Sequence, residues 1–420
     1  MKWWQFVFVG ALMVRVEASV IKGTVTDAAT HKPIPGAIIT TAKGQFKAGV
    51  DGSFQLDSTP GVFGVRAQGY LRGNYSILPT TPAAISVALT AFRPKGLYLS
   101  FYGIGSSVIR GRALDLIDKT ELNTLVVDVK GDRGMIPWKS AIPDAHGTGP
   151  QKIITVRDMP ALMADLHKRG IYLIARIVSF KDDPLANAHH EWAVKDAAGH
   201  IWHDREGLAW IDPSQRAAWG YNLDIAEEAA KMGFDEIQFD YARFPDTKGL
   251  RFSQPSTEEM RVEAITGFLQ AARQRLSHYN VFVDADIFGY VAWNENDTFI
   301  GQEIQHAVDT LDYVSPMLYP SGFTWGIPGA RDPVAASGTV VQRSLEKAEQ
   351  RTKTDGVHFR PWLQSFKDYA FDRRKFGADD IRKQIDAAEA AGTDGWLLWN
   401  PRNDYSDAGL EPRKQTIARP

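Results

Sequence analysis

The sequence predicts an α/β protein in which a small all-β sandwich precedes a TIM (β/α)8 barrel. Residues 19–92 contain short β-branched segments separated by turns, a pattern typical of a sandwich. Over residues 93–410, eight apolar strand-like segments alternate with helix-like segments, which is the pattern of a TIM barrel. An open doubly wound sheet is the alternative. No G-x-G-x-x-G or Walker sequence follows any of these strands to favour it.

Composition narrows the classes of function. The chain has 420 residues with 48 basic and 50 acidic side chains, so no positive excess points to a nucleic acid partner. It contains no cysteine, which excludes disulfides, a cysteine nucleophile and thiolate-bound metal. The 12 Trp and 13 Tyr residues are compatible with clefts that bind sugars, although aromatic residues also fill cores.

Residues 1–18 predict a signal peptide. Lys2 gives a positive start, an apolar run follows, and Val16-Glu17-Ala18 is an acceptable cleavage site. We expect cleavage after Ala18 and a periplasmic or extracellular (secreted) protein. The apolar run is too short for an ordinary membrane span, so no integral membrane segment is expected in the mature chain.

The first domain begins with the alternating segment Val20–Asp27, and an Asp51-Gly52 hairpin signal lies between later strands. This region resembles the carboxypeptidase-regulatory-like (transthyretin-like) domain. The resemblance is carried by four short motifs, at residues 23–25, 35–37, 51–54 and 69–70. It implies an accessory module, and we assign no chemistry to it.

The eight barrel strands are predicted at residues 97–102, 124–129, 171–177, 235–240, 281–286, 312–318, 358–363 and 395–399. Several helix boundaries between them can be read from capping residues. Asp158 is predicted to cap a helix that ends near Gly170, Ser256 and Glu259 form a capping box, and Asp379 starts the last helix.

The segment Phe234–Pro245 is the most informative of these. Side chains on a strand alternate between its two faces, so Glu236, Gln238 and Asp240 should share one face. Polar groups on the inner face of a core strand are costly unless they are paired or used. In a barrel they would point inside, and Asp240 would open at the C-terminal mouth, where catalytic groups lie.

Polar residues recur at the same end of the other strands, and aromatic residues lie in the loops that follow them. Because these ends converge in a barrel, we expect their side chains to surround one site. The predicted substrate-binding residues are Tyr102, Asp128, Lys130, Arg176, Gln238, Tyr241, Arg243, Tyr319, Gln364, Trp399 and Asn400.

Asp240 and Asp286 are the predicted catalytic pair, because glycoside hydrolysis needs two carboxyl groups that flank one bond. We expect a nearby arginine to keep Asp240 ionised, and apolar surroundings together with the charge of Asp240 to raise the pKa of Asp286. Asp284 shares the face of Asp286 one layer deeper and is the rival acid. Asp128 is a second rival.

Residues 95–405 resemble a glycoside hydrolase family of (β/α)8 barrels related to the α-galactosidase-like superfamily. The matching stretches are residues 96–99, 126–130, 234–245, 284–289, 315–321 and 399–400. The resemblance implies a nucleophile or base at Asp240 and does not imply a particular substrate. From the paired carboxyl groups and the aromatic residues we expect a carbohydrate substrate.

Two other functions stay open at this point. A polysaccharide-binding protein without catalysis would keep the aromatic residues. A metal-dependent TIM-barrel hydrolase would need ligands such as His189, His190, His200 and His203, which share one loop. No histidine pair lies on a strand, and we expect neither a metal nor another cofactor.

Overall fold

The computed structural model describes residues 20–414, so the predicted signal peptide lies outside the described residues. The N-terminal strands are β1 (Val20–Asp27), β2 (Ile38–Thr41), β3 (Gly44–Lys47), β4 (Ser53–Asp57), β5 (Gly61–Arg66), β6 (Gly73–Ile77) and β7 (Ala84–Leu89). They form a three-stranded sheet in the order β4-β1-β7 and a four-stranded sheet in the order β3-β2-β5-β6. The predicted all-β sandwich is therefore observed.

The sandwich core lies between these two sheets and consists of alternating inward residues such as Val25, Ile39 and Val65. Gly23 is required on β1, because a Cβ atom there would lie 2.1 Å from the ring of Phe54 on β4. The missing side chain lets the Phe54 ring fill the core.

The next eight strands form a closed barrel in which each strand pairs in parallel with the next and the last pairs with the first. They are β8 (Lys95–Leu99), β9 (Thr124–Lys130), β10 (Tyr172–Val178), β11 (Glu236–Asp240), β12 (Phe282–Phe288), β13 (Tyr313–Met317), β14 (Trp362–Gln364) and β15 (Trp396–Trp399). The predicted TIM barrel is confirmed.

Ten α-helices lie among the described residues. They are α1 (Phe101–Gly105), α2 (Ser107–Lys119), α3 (Pro143–Gly147), α4 (Met159–Lys168), α5 (Asp183–Ala188), α6 (Arg216–Met232), α7 (Glu258–Arg275), α8 (Ile304–Thr310), α9 (Ser337–Thr352) and α10 (Ala378–Ala390). None of these helices in residues 20–414 combines the length and the apolar character needed to cross a bilayer.

Local capping explains where the predicted boundaries hold and where they differ. Asp158 caps α4 as predicted, accepting a hydrogen bond from the Ala161 N–H. The α7 cap is Thr257, one residue after the predicted Ser256. The first barrel strand ends earlier than predicted, because the Ser100 hydroxyl caps α1 and turns the chain at that point.

The sandwich packs against the N-terminal end of the barrel. Arg72 donates to the Asp235 carboxylate (2.9 Å) and to the Asn280 carbonyl (2.7 Å), and both acceptors lie directly before barrel strands. The Gly69 N–H donates to the Tyr313 hydroxyl (3.2 Å). The C-terminal mouth of the barrel is therefore at the end away from the sandwich.

Candidate active site

Polar side chains fill the barrel interior in layers that lead up to the mouth. In the deepest layer, Arg360 Nη1 donates to Glu236 Oε2 (2.6 Å). One layer higher, Gln238 Nε2 donates to Asp284 Oδ2 (2.7 Å). Both Gln238 and Asp284 are fully buried, so each belongs to the barrel core below the mouth. Asp240 follows in the top layer, and the alternation predicted for this strand is observed.

Arg176 on β10 organises the top layer. Its guanidinium donates to Asp240 Oδ2 from Nη2 (2.5 Å) and Nε (2.9 Å). Nη1 donates to Asp128 Oδ1 (2.6 Å), and Nη2 also reaches Asp132 Oδ1 (3.0 Å). Asp286 Oδ2 lies 4.0 Å from Nε. One buried cation thus gathers four carboxyl groups from three strands and a loop.

Asp240 is the last residue of β11, and its carboxylate accepts only N–H donors. Besides the two bonds from Arg176, Oδ1 accepts the Tyr241 N–H (2.6 Å). Tyr241 has a φ of 49°, which is unfavourable for a side chain of this size. Such strain costs on the order of 1–3 kcal/mol and is often found at functional sites, where the surrounding structure enforces it.

Asp286 has a different environment, although it is one strand away. It is 1% exposed, and Oδ1 accepts the Trp362 indole N–H (2.6 Å). Burial raises the pKa of Asp286 well above its ordinary value, the charges of Asp240 and Asp284 raise it further, and Arg176 and the indole hydrogen bond oppose the shift. Within residues 20–414, this indole bond is the only side-chain hydrogen bond that the Asp286 carboxyl group makes.

The two predicted catalytic carboxyl groups lie close to the same nitrogen of Arg176. Arg176 Nε is 2.9 Å from Asp240 Oδ2 and 4.0 Å from Asp286 Oδ2, so these two oxygens are at most about 7 Å apart. Glycosidases place their carboxyl groups roughly 5–9.5 Å apart. The upper bound lies within this range.

Asp128, the second rival acid, has hydrogen bonds to both of its carboxylate oxygens. Its Oδ2 accepts the Tyr98 hydroxyl (2.6 Å) and the Phe101 N–H (3.3 Å), and Oδ1 is bound to Arg176. Burial raises the pKa of Asp128 to about 6, and the Arg176 charge opposes that rise. These contacts favour a role in positioning Arg176.

Three other predicted binding residues use their polar groups inside the protein. Lys130 is fully buried and donates to Asp182 Oδ2 (2.5 Å). Gln364 Nε2 donates to Ser321 Oγ (2.7 Å), and Asn400 Nδ2 donates to two backbone carbonyls (2.7 and 2.8 Å). All three tie together the loops that follow neighbouring strands.

Aromatic rings line the mouth around these carboxyl groups. Trp399 lies with its ring centroid 4.8 Å from the Arg176 guanidinium. Burial raises the pKa of the Tyr319 hydroxyl, and the charges of Asp286 and Asp240 raise it further. Arg243 covers the Tyr241 ring at 5.0 Å.

Tyr102 stands apart from this group. It is 55% exposed on α1, and its ring makes an edge contact with Phe101, with 4.9 Å between the ring centroids. It is the most open of the predicted binding residues.

Sequence reasoning missed three residues of the site. Asp132 follows β9 after a glycine, so no strand alternation pointed to it. Tyr98 and Trp362 lie in predicted strands without a predicted polar contact, yet each donates a hydrogen bond to a carboxyl group. The alternation of side chains along each strand could have placed them inside the barrel. A buried Tyr or Trp usually has a hydrogen-bond partner, so a polar contact was to be expected there.

The histidines of the loop after β10 do not come together as a metal site. His189 stacks on Trp192 with 3.9 Å between the ring centroids, and His200 lies 3.6 Å from Asp196. Over residues 20–414, no group of three or more His, Cys, Asp or Glu side chains is arranged to hold a metal ion.

The closed parallel barrel with carboxyl groups at its C-terminal mouth defines the chain as a TIM-barrel protein. The family model described as "Putative glycosyl hydrolase domain" matches residues 96–405. The chain belongs to this family, which spans the whole barrel.

Solved structures share the fold. The glycoside hydrolase domain of PgaB (BpsB) from Bordetella bronchiseptica has 15% identity and a TM-score of 0.54, with coverage of 76% of this chain and 97% of that chain. A β-galactosidase from the psychrophilic Marinomonas ef1 has 9% identity and a TM-score of 0.52, with coverage of 73% and 54%. Identities this low show the fold alone.

A hypothetical protein from Ruminiclostridium thermocellum is 37% identical over 45% of this chain and 96% of that chain, with a TM-score of 0.41. A search of curated proteins found no match.

Proposed function

We propose that the protein is a glycoside hydrolase that cleaves a polysaccharide or oligosaccharide with Asp240 as nucleophile or base and Asp286 as general acid. The observation that carries this proposal is the gathering of both carboxyl groups around one guanidinium at the barrel mouth. The family described above supports action on a glycan.

The two environments suit the two roles. Asp240 accepts three N–H donors, which orient a charged carboxylate toward the anomeric carbon. Asp286 is buried with a raised pKa, so it enters the reaction protonated and gives its proton to the leaving oxygen. The positive charge of Arg176 offsets negative charge on Asp240 and Asp286 while protons are transferred.

Trp399, Tyr319 and Tyr241 are proposed to contact the sugar ring around the pair. Their rings are partly exposed at the mouth, and clefts that bind small ligands are lined mainly by aromatic and apolar surface with few polar groups. Arg243, which has no carboxylate partner among the described residues, is proposed to bond sugar hydroxyls.

The test is Asp240→Asn and Asp286→Asn, assayed for release of reducing ends from a panel of plant and bacterial α- and β-glycans. We expect each variant to lose at least about a hundredfold in turnover, because general acid–base groups contribute on that scale. Asp115→Asn, an exposed carboxylate on α2, is the matched control and should keep full activity. Near-normal turnover in either site variant would remove that residue from the pair.

We also propose that the protein is secreted and that the sandwich is an accessory module of the carboxypeptidase-regulatory-like type. The charged start, apolar run and cleavage site of residues 1–18 support export. Sequencing the N-terminus of the mature protein tests it, because an intact Met1 in a cytosolic fraction would contradict export.

A further inference from the structure

A row of three aromatic rings begins at Tyr319, two residues after β13 at the barrel mouth. The Tyr319 ring makes an edge contact with Phe366, with 5.5 Å between ring centroids. Phe366 in turn lies 6.1 Å from Tyr369, and the two ring planes are nearly parallel at 4°. Tyr319 and Phe366 are partly buried, whereas Tyr369 at the end of the row is 51% exposed.

The loop that carries Tyr369 is held by a buried carboxylate. Asp368 is 2% exposed. Its Oδ1 accepts the Ser321 hydroxyl (2.6 Å) and the Ala370 N–H (3.1 Å), and its Oδ2 accepts the N–H groups of residues 371 and 373 (both 2.8 Å). Although burial opposes it, these hydrogen bonds hold the pKa of Asp368 at about 2.

This anchoring has a consequence for Tyr369. A loop fixed at four points presents its exposed ring in one place, so little entropy is lost when a ligand stacks on it. Such an anchored and exposed ring is pre-organised for stacking against a flat ligand.

We propose that Tyr369 is a distal sugar-binding platform, two ring spacings away from Tyr319 at the mouth, for a glycan chain of several sugar units. The proposal rests on the proposed function, because it takes the chain to be the substrate of the same site. The flat apolar face of a sugar stacks on the tyrosine ring, and the row Tyr319–Phe366–Tyr369 guides successive units toward Asp286. The preferred substrate is then a polymer or a long oligosaccharide.

Binding to polymers tests the platform separately from catalysis. Native affinity electrophoresis is run with hydroxyethyl cellulose, glycol chitin, galactomannan and soluble starch in the gel. We expect at least one polymer to retard the full chain, and Tyr369→Ala to weaken that retardation about tenfold, as loss of one ring face would.

Two matched variants sharpen the result. Tyr369→Phe keeps the ring and should bind as the unsubstituted protein does. Phe46→Ala removes a partly exposed ring from the sandwich and should change nothing. Retardation by none of the four polymers, or equal retardation of the unsubstituted protein and Tyr369→Ala, would overturn the proposal.

Reducing-end assays on the polymer that binds separate the two proposals. If the polymer binds through Tyr369 but is not cleaved, the platform stands and the hydrolase function fails. If it is cleaved and Tyr369→Ala binds normally, the hydrolase stands and the platform fails. When both hold, Tyr369→Ala should raise KM for the polymer and leave kcat near its normal value.

Discussion

At the residue scale, one hydrogen bond tunes the proposed acid. The Trp362 indole donates to Asp286 Oδ1 at 2.6 Å and lowers its pKa, against the larger effect of burial. A donor stabilises the charged carboxylate more than the neutral acid. The fraction of molecules with Asp286 protonated at a given pH therefore depends on this indole.

Trp362→Phe should move the alkaline limb of the pH–rate profile to higher pH. Removing the donor raises the pKa of Asp286 further, so the proton is retained to a higher pH. A hydrogen bond to a charged group contributes about 1.5–3 kcal/mol, which corresponds to roughly one to two pH units. The measurement is kcat/KM against pH on a cleaved glycan.

Trp396→Phe is the matched control for this shift. The Trp396 indole donates to Glu389 at 3.2 Å, on the outside of the neighbouring strand β15, so its loss should leave the profile in place. An unshifted alkaline limb in Trp362→Phe would show that another group sets it.

At the element scale, a buried ion pair crosses the barrel interior between strands that are not neighbours. Arg360, just before β14, donates to both carboxylate oxygens of Glu236 on β11 and to Asp394 before β15 (3.1 Å). Burial raises the pKa of Glu236 to about 8, and the Arg360 charge opposes that rise. Without Arg360, two buried carboxyl groups would lack their common partner.

Arg360→Met should lower the free energy of unfolding by about 3–5 kcal/mol, the usual cost of breaking a buried pair on one side. The variant raises the folded-state pKa of Glu236 further above its unfolded value. A carboxyl group whose pKa is raised by folding contributes to the stability of the folded state at low pH. This contribution is lost as the pH rises through the folded-state pKa. The loss should therefore be smaller at pH 6 than at pH 9, as measured by urea unfolding.

Arg216→Met supplies the comparison for this loss. Arg216 pairs with Glu263 at 3.1 Å on the exposed surfaces of α6 and α7, and exposed pairs contribute at most about 1 kcal/mol. Equal losses in the two arginine variants would contradict the role given to the buried pair.

At the scale of the whole molecule, the sandwich and the barrel share a polar contact. Arg72 donates to the Asp235 side chain and to the carbonyls of Gly233 and Asn280. Leu71 and Phe92 pack against the lower core of the barrel. This interface closes the barrel end that lies away from the site.

Arg72→Met should loosen this interface and lower the melting temperature of the chain. Three acceptors lose their donor, and hydrogen bonds to or from charged groups contribute about 1.5–3 kcal/mol each. We expect calorimetry to show one unfolding transition for the unsubstituted protein and two for Arg72→Met. Proteolysis at residues 90–94 should also become faster in the variant.

Arg93→Met changes an exposed arginine in the connecting segment itself and should leave both measurements unchanged. If Arg72→Met also kept one unshifted transition, the interface would depend on the apolar contacts of Leu71 and Phe92 alone.

The sequence by itself determined the barrel, the sandwich and the inner face of β11, because hydrophobic periodicity is a local property that each strand carries. It also placed Asp240 at the end of its strand, whereas Asp286, predicted as a strand end, lies two residues before the end of β12. Boundaries that depend on a single cap, such as Ser100 and Thr257, were displaced by one or a few residues, since the ends of an element are its least sharply defined part.

Only the tertiary structure decided which of these polar residues share a contact. Arg176 lies 64 positions from Asp240 and 48 from Asp128 along the chain, and the Trp362 indole reaches Asp286 across 76 positions. Such distances are fixed by barrel closure, which no local pattern encodes. The same closure removes water from Asp286 and raises its pKa, so the difference between the two carboxyl groups is a property of the fold.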